Sequence, residues 1–503
     1  MLAFAAYRSG QPLEKWPENI ASRAYCLYLA DADDRPQERA FDCDIGRLAC
    51  YCPPNVARRL VMRYHVDGFG DPILCTRLLQ SGRALHNLSV ELALGRLERT
   101  EKMRAEALLA GCMLSQALNK KLDQARDLAH DARTLDSQGD RAAAADLADK
   151  SLAISLPAGE EVALEVAAAQ LESRRAAGGL RKFMFGCGGG TDLETKRGRH
   201  YLRAFNYATL PFYLNGMEPQ PGQVMHDPVL KTARDLHARG IKLKGHPLVW
   251  TYTPCLPPHR RAMDFDTCCE VFRERILRDV PPFRGLIDYW DVINEAHDLP
   301  WANSLAFTSE QMVELTKLAA ATARQAAPEA GLVVNVCLPF GDYAAGAPGR
   351  ATTLEYVGAC IDAGADFDII GIQFYFGGGL FQYCWDMLEI SRILDRFAAL
   401  GKEIHITELG TPSAMGPDPN AMIKEGNDVG LWHNEWSEQT QADWVEQFYR
   451  ICMSKPAITA ATWWSFSDAH GAFWPYGGLL NAQDEPKESY NRLLELHTMT
   501  ETT

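Results

Sequence analysis

The chain has 503 residues, of which 47% are hydrophobic and 23% charged, and its formal charge is −14. That length exceeds one ordinary domain, so two or three are expected, with the composition of a soluble globular protein. The acidic excess argues against nucleic acid or an anionic membrane as the main partner, since both select for Lys and Arg, and no apolar run approaches the roughly 20 residues that span a bilayer.

The opening residues, Met1 to Arg8, lack a basic stretch followed by a long apolar core, so no signal peptide is evident and a cytoplasmic setting is expected. The 14 cysteines have no regular spacing, and Cys50-Tyr51-Cys52 and Cys268-Cys269 do not match zinc sites. Reduced, mostly buried thiols are expected, with no metal and no cofactor. Residues 1–85 carry strand-like pieces at 23–29 and 60–66, broken by Pro and Gly, which predicts a small β-rich accessory domain. It is either a sugar-binding sandwich or a structural unit. Residues 86–180 are rich in Ala, Leu, Glu, Arg and Lys at helical spacing. Three or four helices in antiparallel hairpins are predicted, punctuated at Gln138-Gly139-Asp140 and again at Leu156-Pro157-Ala158-Gly159. This segment serves as a brace or a dimer surface, so the oligomeric state stays open. Ala176-Ala177-Gly178-Gly179 is the expected linker.

Residues 181–503 alternate strand and helix. Strands are predicted at 182–186, 205–211, 241–250, 286–294, 332–338, 367–375, 403–408 and 460–467. The clearest helices are 229–239, 311–326, 353–363, 385–400 and 441–453, and Thr308 with Gln311 fits a capping box. Eight β-α repeats predict a (β/α)8 barrel, whose chemistry gathers at the C-terminal ends of its strands. Two strand ends stand out. Trp290-Asp291-Val292-Ile293-Asn294-Glu295 and Ile404-His405-Ile406-Thr407-Glu408 are apolar runs closed by a glutamate, and burying a carboxylate is costly without a reason. A carboxylate pair facing one cleft is the equipment for glycosidic cleavage. Other strand ends supply His246, Trp250, Gln373, Tyr375 and Trp464: amides and imidazole for hydroxyls, indoles for pyranose faces. The glycine runs 186–190 and 377–379 lack a following Gly-Lys-Ser/Thr and read as turns rather than phosphate loops.

The strand-4 motif at 290–295 resembles the acid/base motif of glycoside hydrolase family 10, best known for endo-β-1,4-xylanases. Gly245-His246-Pro247-Leu248-Val249-Trp250, Ile406-Thr407-Glu408-Leu409, Trp464-Ser465-Phe466-Ser467-Asp468 and Pro486-Lys487-Glu488-Ser489-Tyr490 resemble further motifs of that family, in the family's order. Phe205-Asn206 with Glu218-Pro219 resembles its second-strand region. The resemblance covers about residues 181–497 and implies a retaining β-glycosidase acting on a β-linked plant polysaccharide or oligosaccharide, xylan first. It implies Glu295 as general acid/base and Glu408 as nucleophile, with carboxyls about 5–5.5 Å apart. It further implies Asn294 on the sugar 2-hydroxyl, His246 and Gln373 positioning sugar and nucleophile, and Trp250, Trp464 and Trp474 as subsite walls. The competing readings are structural: paired carboxylates for the two glutamates, a core histidine for His246, a cap for Asn294 and packing for Trp474.

The departures bear on substrate. After Thr209 the family's glutamate, asparagine and lysine give way to Leu210-Pro211-Phe212-Tyr213-Leu214-Asn215-Gly216. Thr251 stands where the family usually has histidine. Tyr375 replaces a histidine beside the nucleophile, and a phenol still donates a hydrogen bond to a carboxylate. The alternatives are therefore a hydrolase of another β-glucan or a decorated oligosaccharide, or a non-catalytic carbohydrate-binding barrel. Residues 410–438, with Trp432 and Trp436, are expected to shape the leaving-group side or act as a lid, with a disordered insertion as the competing reading.

Overall fold

The computed structural model describes the chain except residues 17–25, 189–191, 298, 300, 348, 378–382, 423–429, 470 and 502–503. Among the described residues, the first 87 form short strands: β1 (Leu2–Ala5), β2 (Tyr7–Arg8), β3 (Gln11–Pro12), β4 (Leu27–Ala30), β5 (Phe41–Asp44), β6 (Arg47–Cys50), β7 (Ala57–Arg63), β8 (Ile73–Cys75), β9 (Leu79–Gln80) and β10 (Leu85–Asn87). They pair as one sheet of order β10-β1-β6-β5, a second of order β4-β7-β8 with β9 also on β7, and the hairpin β2-β3. Helices α1 (Leu88–Leu109), α2 (Gln116–Ser137) and α3 (Arg141–Ala176) follow. Ser115 caps α2 and Asp140 caps α3, each side chain accepting a backbone N–H three residues on. Alanines let the hairpin close tightly: Ala125, Ala129 and Ala132 of α2 share a core with Ala144, Ala148 and Leu152 of α3. That same core holds Leu2, Phe4, Leu27, Leu29 and Leu60 of the strands, so β-rich and helical segments bury one apolar surface together.

The predicted punctuation at Pro157 is corrected by α3, which runs through it for 36 residues, about 54 Å at 1.5 Å per residue. Proline removes an N–H from a helix interior, which normally kinks or ends it. Here the buried Arg96 guanidinium donates to the adjacent carbonyls of Ser155 (3.3 Å) and Leu156 (2.8 Å), which pins the helix beside the proline. Gly159 makes room, since a Cβ there would stand 2.4 Å from Arg96 Nη2. Beyond it, Ala158, Val162, Ala163, Ala167 and Leu171 enter the barrel's core.

The rest of the chain closes into a (β/α)8 barrel. Its parallel strands are β11 (Met184–Gly188), β12 (Tyr207–Pro211), β13 (Lys242–His246), β14 (Tyr289–Asn294), β15 (Gly331–Val336), β16 (Ile369–Tyr375), β17 (Glu403–Gly410) and β18 (Ile458–Trp463), with β18 pairing back to β11. Around them run α4 (Lys196–Ala204), α5 (Leu214–Met217), α6 (Asp227–His237), α7 (Phe265–Asp279), α8 (Ser309–Ala326), α9 (Thr353–Asp362), α10 (Met387–Ala398), α11 (Glu438–Ser454) and α12 (Glu488–Glu501). Strands such as Gly331–Val336 and Ile369–Tyr375 are nearly continuous apolar runs, as parallel strands covered on both faces must be. The Thr308–Gln311 capping box forms at the start of α8. Three predicted strands overran at their C-terminal ends, β15 by two residues and β13 and β18 by four each. β13 stops at His246 because Pro247 offers no N–H to a ladder, and β18 stops at Trp463. The turn expected at 186–190 is also corrected: Gly186 and Gly188 lie within β11, while 189 and 190, like 378 and 379, fall outside the described residues.

Candidate active site

At the C-terminal ends of the barrel strands lies a cleft of about 990 Å³. All nine residues singled out from the sequence line it: His246, Trp250, Asn294, Glu295, Gln373, Tyr375, Glu408, Trp464 and Trp474. Trp464 reaches it because Gly188 has no side chain; a Cβ there would lie 1.9 Å from the indole.

Glu295 follows β14 directly and takes φ +51°, a left-handed conformation that costs an ordinary side chain about 1–3 kcal/mol. Its N–H donates to the Asn335 carbonyl at 2.8 Å, which fixes the turn. Its carboxyl is packed from below and open to the cleft. Gln373 Nε2 donates to Glu295 Oε1 (3.1 Å) and to Asn294 Oδ1 (3.3 Å). Asn335 Nδ2 donates to the same Asn294 oxygen (2.8 Å) and to Glu408 Oε1 (3.3 Å). An amide chain thus links the two carboxyls through Asn294. Burial, and then the charge of Glu408, push Glu295 up to about 8, against the opposing hydrogen bonds from Gln373 and Asn294.

Glu408, buried near the end of β17, accepts the Tyr375 hydroxyl on Oε2 at 2.7 Å. His246 Nε2 lies 3.8 Å from Oε1. Behind it, His246 Nδ1 meets Asp291 Oδ2 at 2.6 Å, and Lys244 Nζ reaches that oxygen at 2.8 Å. Burial alone would raise Asp291, yet the Lys244 ammonium and His246 hold its carboxyl below the usual range. An ionised Asp291 fixes the imidazole's orientation, with Nε2 turned to the Glu408 side.

Aromatic rings form the walls. Tyr213 meets His246 edge-on at 5.6 Å and lies 6.1 Å from Trp250, and Tyr252 lies 4.8 Å from Trp250. Trp474 packs on Tyr375 at 5.2 Å while lining the cleft, so it is both packing and wall. Thr251 faces away, its buried hydroxyl donating to the Ala302 carbonyl at 2.9 Å. Asn215, at the altered stretch, donates to Pro254 O, while Tyr213 supplies the lining. The expectation for Trp432 and Trp436 is corrected. Trp432 is buried, with its Nε1 on Glu160 Oε1 at 2.9 Å, and Trp436 is buried against Gly377. Both belong to the barrel's apolar core, while Met422 of the same segment lines the cleft; the span 423–429 lies outside the described residues.

Sequence reasoning missed Asn335, Lys244, Tyr213 and Tyr252. Asn335 carried a signal, a lone amide inside an apolar strand, where it also accepts the Thr407 hydroxyl. Among the described residues, no cluster of His, Cys, Asp and Glu is arranged to hold a metal.

The sequence model of Glycosyl hydrolase family 10 matches residues 214–496. Among curated relatives, Endo-1,4-beta-xylanase A of Caldicellulosiruptor saccharolyticus is 25% identical over 327 residues, 60% of this chain and 90% of that protein. Endo-1,4-beta-xylanase B of Thermotoga neapolitana is 24% identical over 297 residues, 56% of this chain and 76% of that protein. Among solved structures, native xylanase 10B from Thermotoga maritima aligns with a TM-score of 0.50 and 20% identity, across 65% of this chain and 99% of that one. At that identity the match speaks for the shared barrel.

Proposed function

The chain belongs to glycosyl hydrolase family 10, and from that premise we propose that it is a retaining β-glycosidase of the endo-β-1,4-xylanase kind, with Glu295 as acid/base and Glu408 as nucleophile. The observation that carries this reading is the contrast between the two carboxyls. Burial and the charge of Glu408 push Glu295 up to about 8, while Glu408 accepts hydrogen bonds from Tyr375 and Asn335.

In the first step Glu408 attacks the anomeric carbon as Glu295 passes its proton to the departing glycosidic oxygen, leaving a glycosyl ester on Glu408. In the second, Glu295, now a carboxylate, takes a proton from water as that water attacks the anomeric carbon and releases Glu408. Asn294, held by Asn335 and Gln373, is placed for the sugar 2-hydroxyl. Tyr375 occupies the place of a histidine and keeps a neutral donor on the nucleophile.

A β-linked xylan or xylo-oligosaccharide is the first substrate, as the relatives' names suggest. One observation favours a second reading within the same chemistry. Tyr213 lines the cleft where polar groups would grip a distal sugar, which points to another β-glucan or a decorated oligosaccharide. A screen of β-linked polysaccharides with product sizing separates the two. NMR of the first-formed anomer tests the mechanism: retention is expected, and inversion ends the two-step proposal. Glu408→Ala should abolish turnover of an aryl β-glycoside; parent and variant equally inactive on every substrate would leave only a sugar-binding barrel.

A further inference from the structure

The wall of the cleft built by the segments after β15 and β16 includes Leu338, Pro339, Phe340, Asp342, Tyr383 and Trp385, and among the described residues Asp342 is its one carboxyl. Nothing in the double-displacement chemistry uses that carboxyl. We propose that Asp342 is a substrate-binding residue that reads a hydroxyl of the sugar seated on this wall, and that Arg39, from the N-terminal strands, is the positioning residue that holds it there. The proposal rests on the glycosidase reading and extends it to recognition beyond the carboxyl pair.

The wall is not held by the barrel alone. Arg39 Nη2 donates to the Asp342 carbonyl at 2.8 Å, and the Gly346 N–H donates to Gln37 O at 2.7 Å. The two segments nearly touch: a Cβ on Gly346, whose φ is +70°, would stand 2.8 Å from Arg39 Cβ. One step along the wall, the Ile73 N–H donates to Cys384 O at 3.1 Å. Tyr28, Val61 and Ile73 of the β4-β7-β8 sheet share a small core with Ala345 and Tyr383. Phe340 and Trp385 stack face to face at 4.0 Å and 6°, which ties the two wall segments together. The N-terminal segment therefore backs this wall, although among the described residues none of it lines the cleft itself.

A turn carboxylate would sit in water, whereas Asp342 is 6% exposed and borders the cleft. Burial lifts it to about 7 against the pull of Arg39, and a carboxyl on such a wall is a group that hydrogen-bonds a sugar hydroxyl. Among apolar rings, one such group decides how a polyhydroxylated ring is oriented, because an unmatched polar group there is penalised.

Wild type, Arg39→Ala, Arg39→Lys and Asp342→Asn are to be compared on an aryl β-xyloside and on xylotetraose, or on the glucose equivalents where the substrate screen returns a glucan. Tetrasaccharide binding is also followed by tryptophan fluorescence in a Glu408→Ala background, which needs no turnover. Arg39→Ala and Asp342→Asn should each raise KM for the tetrasaccharide about ten-fold more than for the aryl glycoside, weaken binding in parallel, and show partial rescue in Arg39→Lys. Equal losses on both substrates, or none on either, overturn the proposal while leaving the glycosidase reading intact. A wild type that binds the tetrasaccharide through Asp342 without cleaving any glycoside ends the glycosidase reading and keeps the wall; one that binds nothing ends both. Should Arg39→Ala fail to fold, the near-isosteric Asp342→Asn decides alone.

Discussion

At the scale of single residues, the site is governed by what keeps a proton on Glu295. Burial and the neighbouring Glu408 raise its pKa to about 8, and Gln373 works against both by donating to the ionised form. An acid with a raised pKa is active below that value, so kcat/KM should fall as pH rises through about 8. Removing the opposing donor, as in Gln373→Leu, should move that alkaline limb to higher pH even as overall activity drops. A pH profile of kcat/KM for both proteins checks the sign, and a limb that moves down contradicts it. Glu408→Gln removes the charge that raises Glu295, so carbon-13 titration of that inactive variant should find Glu295 at a lower pKa. The phenol on the nucleophile is tested separately. A hydrogen bond to a charged group contributes about 1.5–3 kcal/mol, so Tyr375→Phe should cost roughly 10- to 100-fold in kcat/KM if that bond persists in the transition state.

At the scale of elements, the junction between α3 and the barrel is an ionic seam in a buried place. Arg96 pairs with Asp386 at 2.9 Å, both almost fully buried, and Asp386 in turn caps α10 by accepting from Leu388 and Glu389. Glu160, three residues past Pro157, accepts the Met387 N–H at 2.9 Å, Trp432 Nε1 at 2.9 Å and His433 Nε2 at 2.5 Å. Arg96→Ala leaves Asp386 without its cation and the Ser155 and Leu156 carbonyls without their extra donor. Breaking a buried pair this way costs about 3–5 kcal/mol, to be read as a lower urea midpoint with an unchanged slope. None of this was legible locally. Pro157 and Gly159 read as a stop because the guanidinium that pins the helix beside them comes from some 60 residues away. Trp432 and Trp436 read as cleft residues because their partners, Glu160 and Gly377, are not neighbours in any sequence pattern. What was legible follows a short-range rule: short strand-length runs alternating with helical stretches marked the eight barrel strands, and a glutamate closing an apolar, β-branched run marked each carboxyl. Strand ends were overrun at Trp250 and Ser467 because extended segments leaving a barrel have the same composition as the strand itself.

At the scale of the whole molecule, the described residues pack as continuous cores rather than as beads. The N-terminal strands share a core with α1, α2 and the first half of α3; the second half of α3 shares one with the barrel; and a third, small core joins Tyr28, Val61 and Ile73 to the barrel's Tyr383. Backbone pairs add to this, with the Asp71 N–H on Leu431 O at 3.0 Å and the His433 N–H on Phe69 O at 2.7 Å. Domains that could melt separately are joined by few contacts and exposed linkers. Here a 36-residue helix is common to both cores, so either half would lose an apolar face if the other unfolded. Calorimetry should therefore give one transition, and loss of aryl-glycosidase activity should coincide with loss of helical signal. Thinning the small core with Ile73→Ala removes a fully buried side chain, worth about 2–5 kcal/mol. If the cores are coupled, that variant lowers the single transition as a whole and inactivation follows it down. If the N-terminal strands were an independent appendage, an early, separate transition would emerge instead, with activity surviving beyond it.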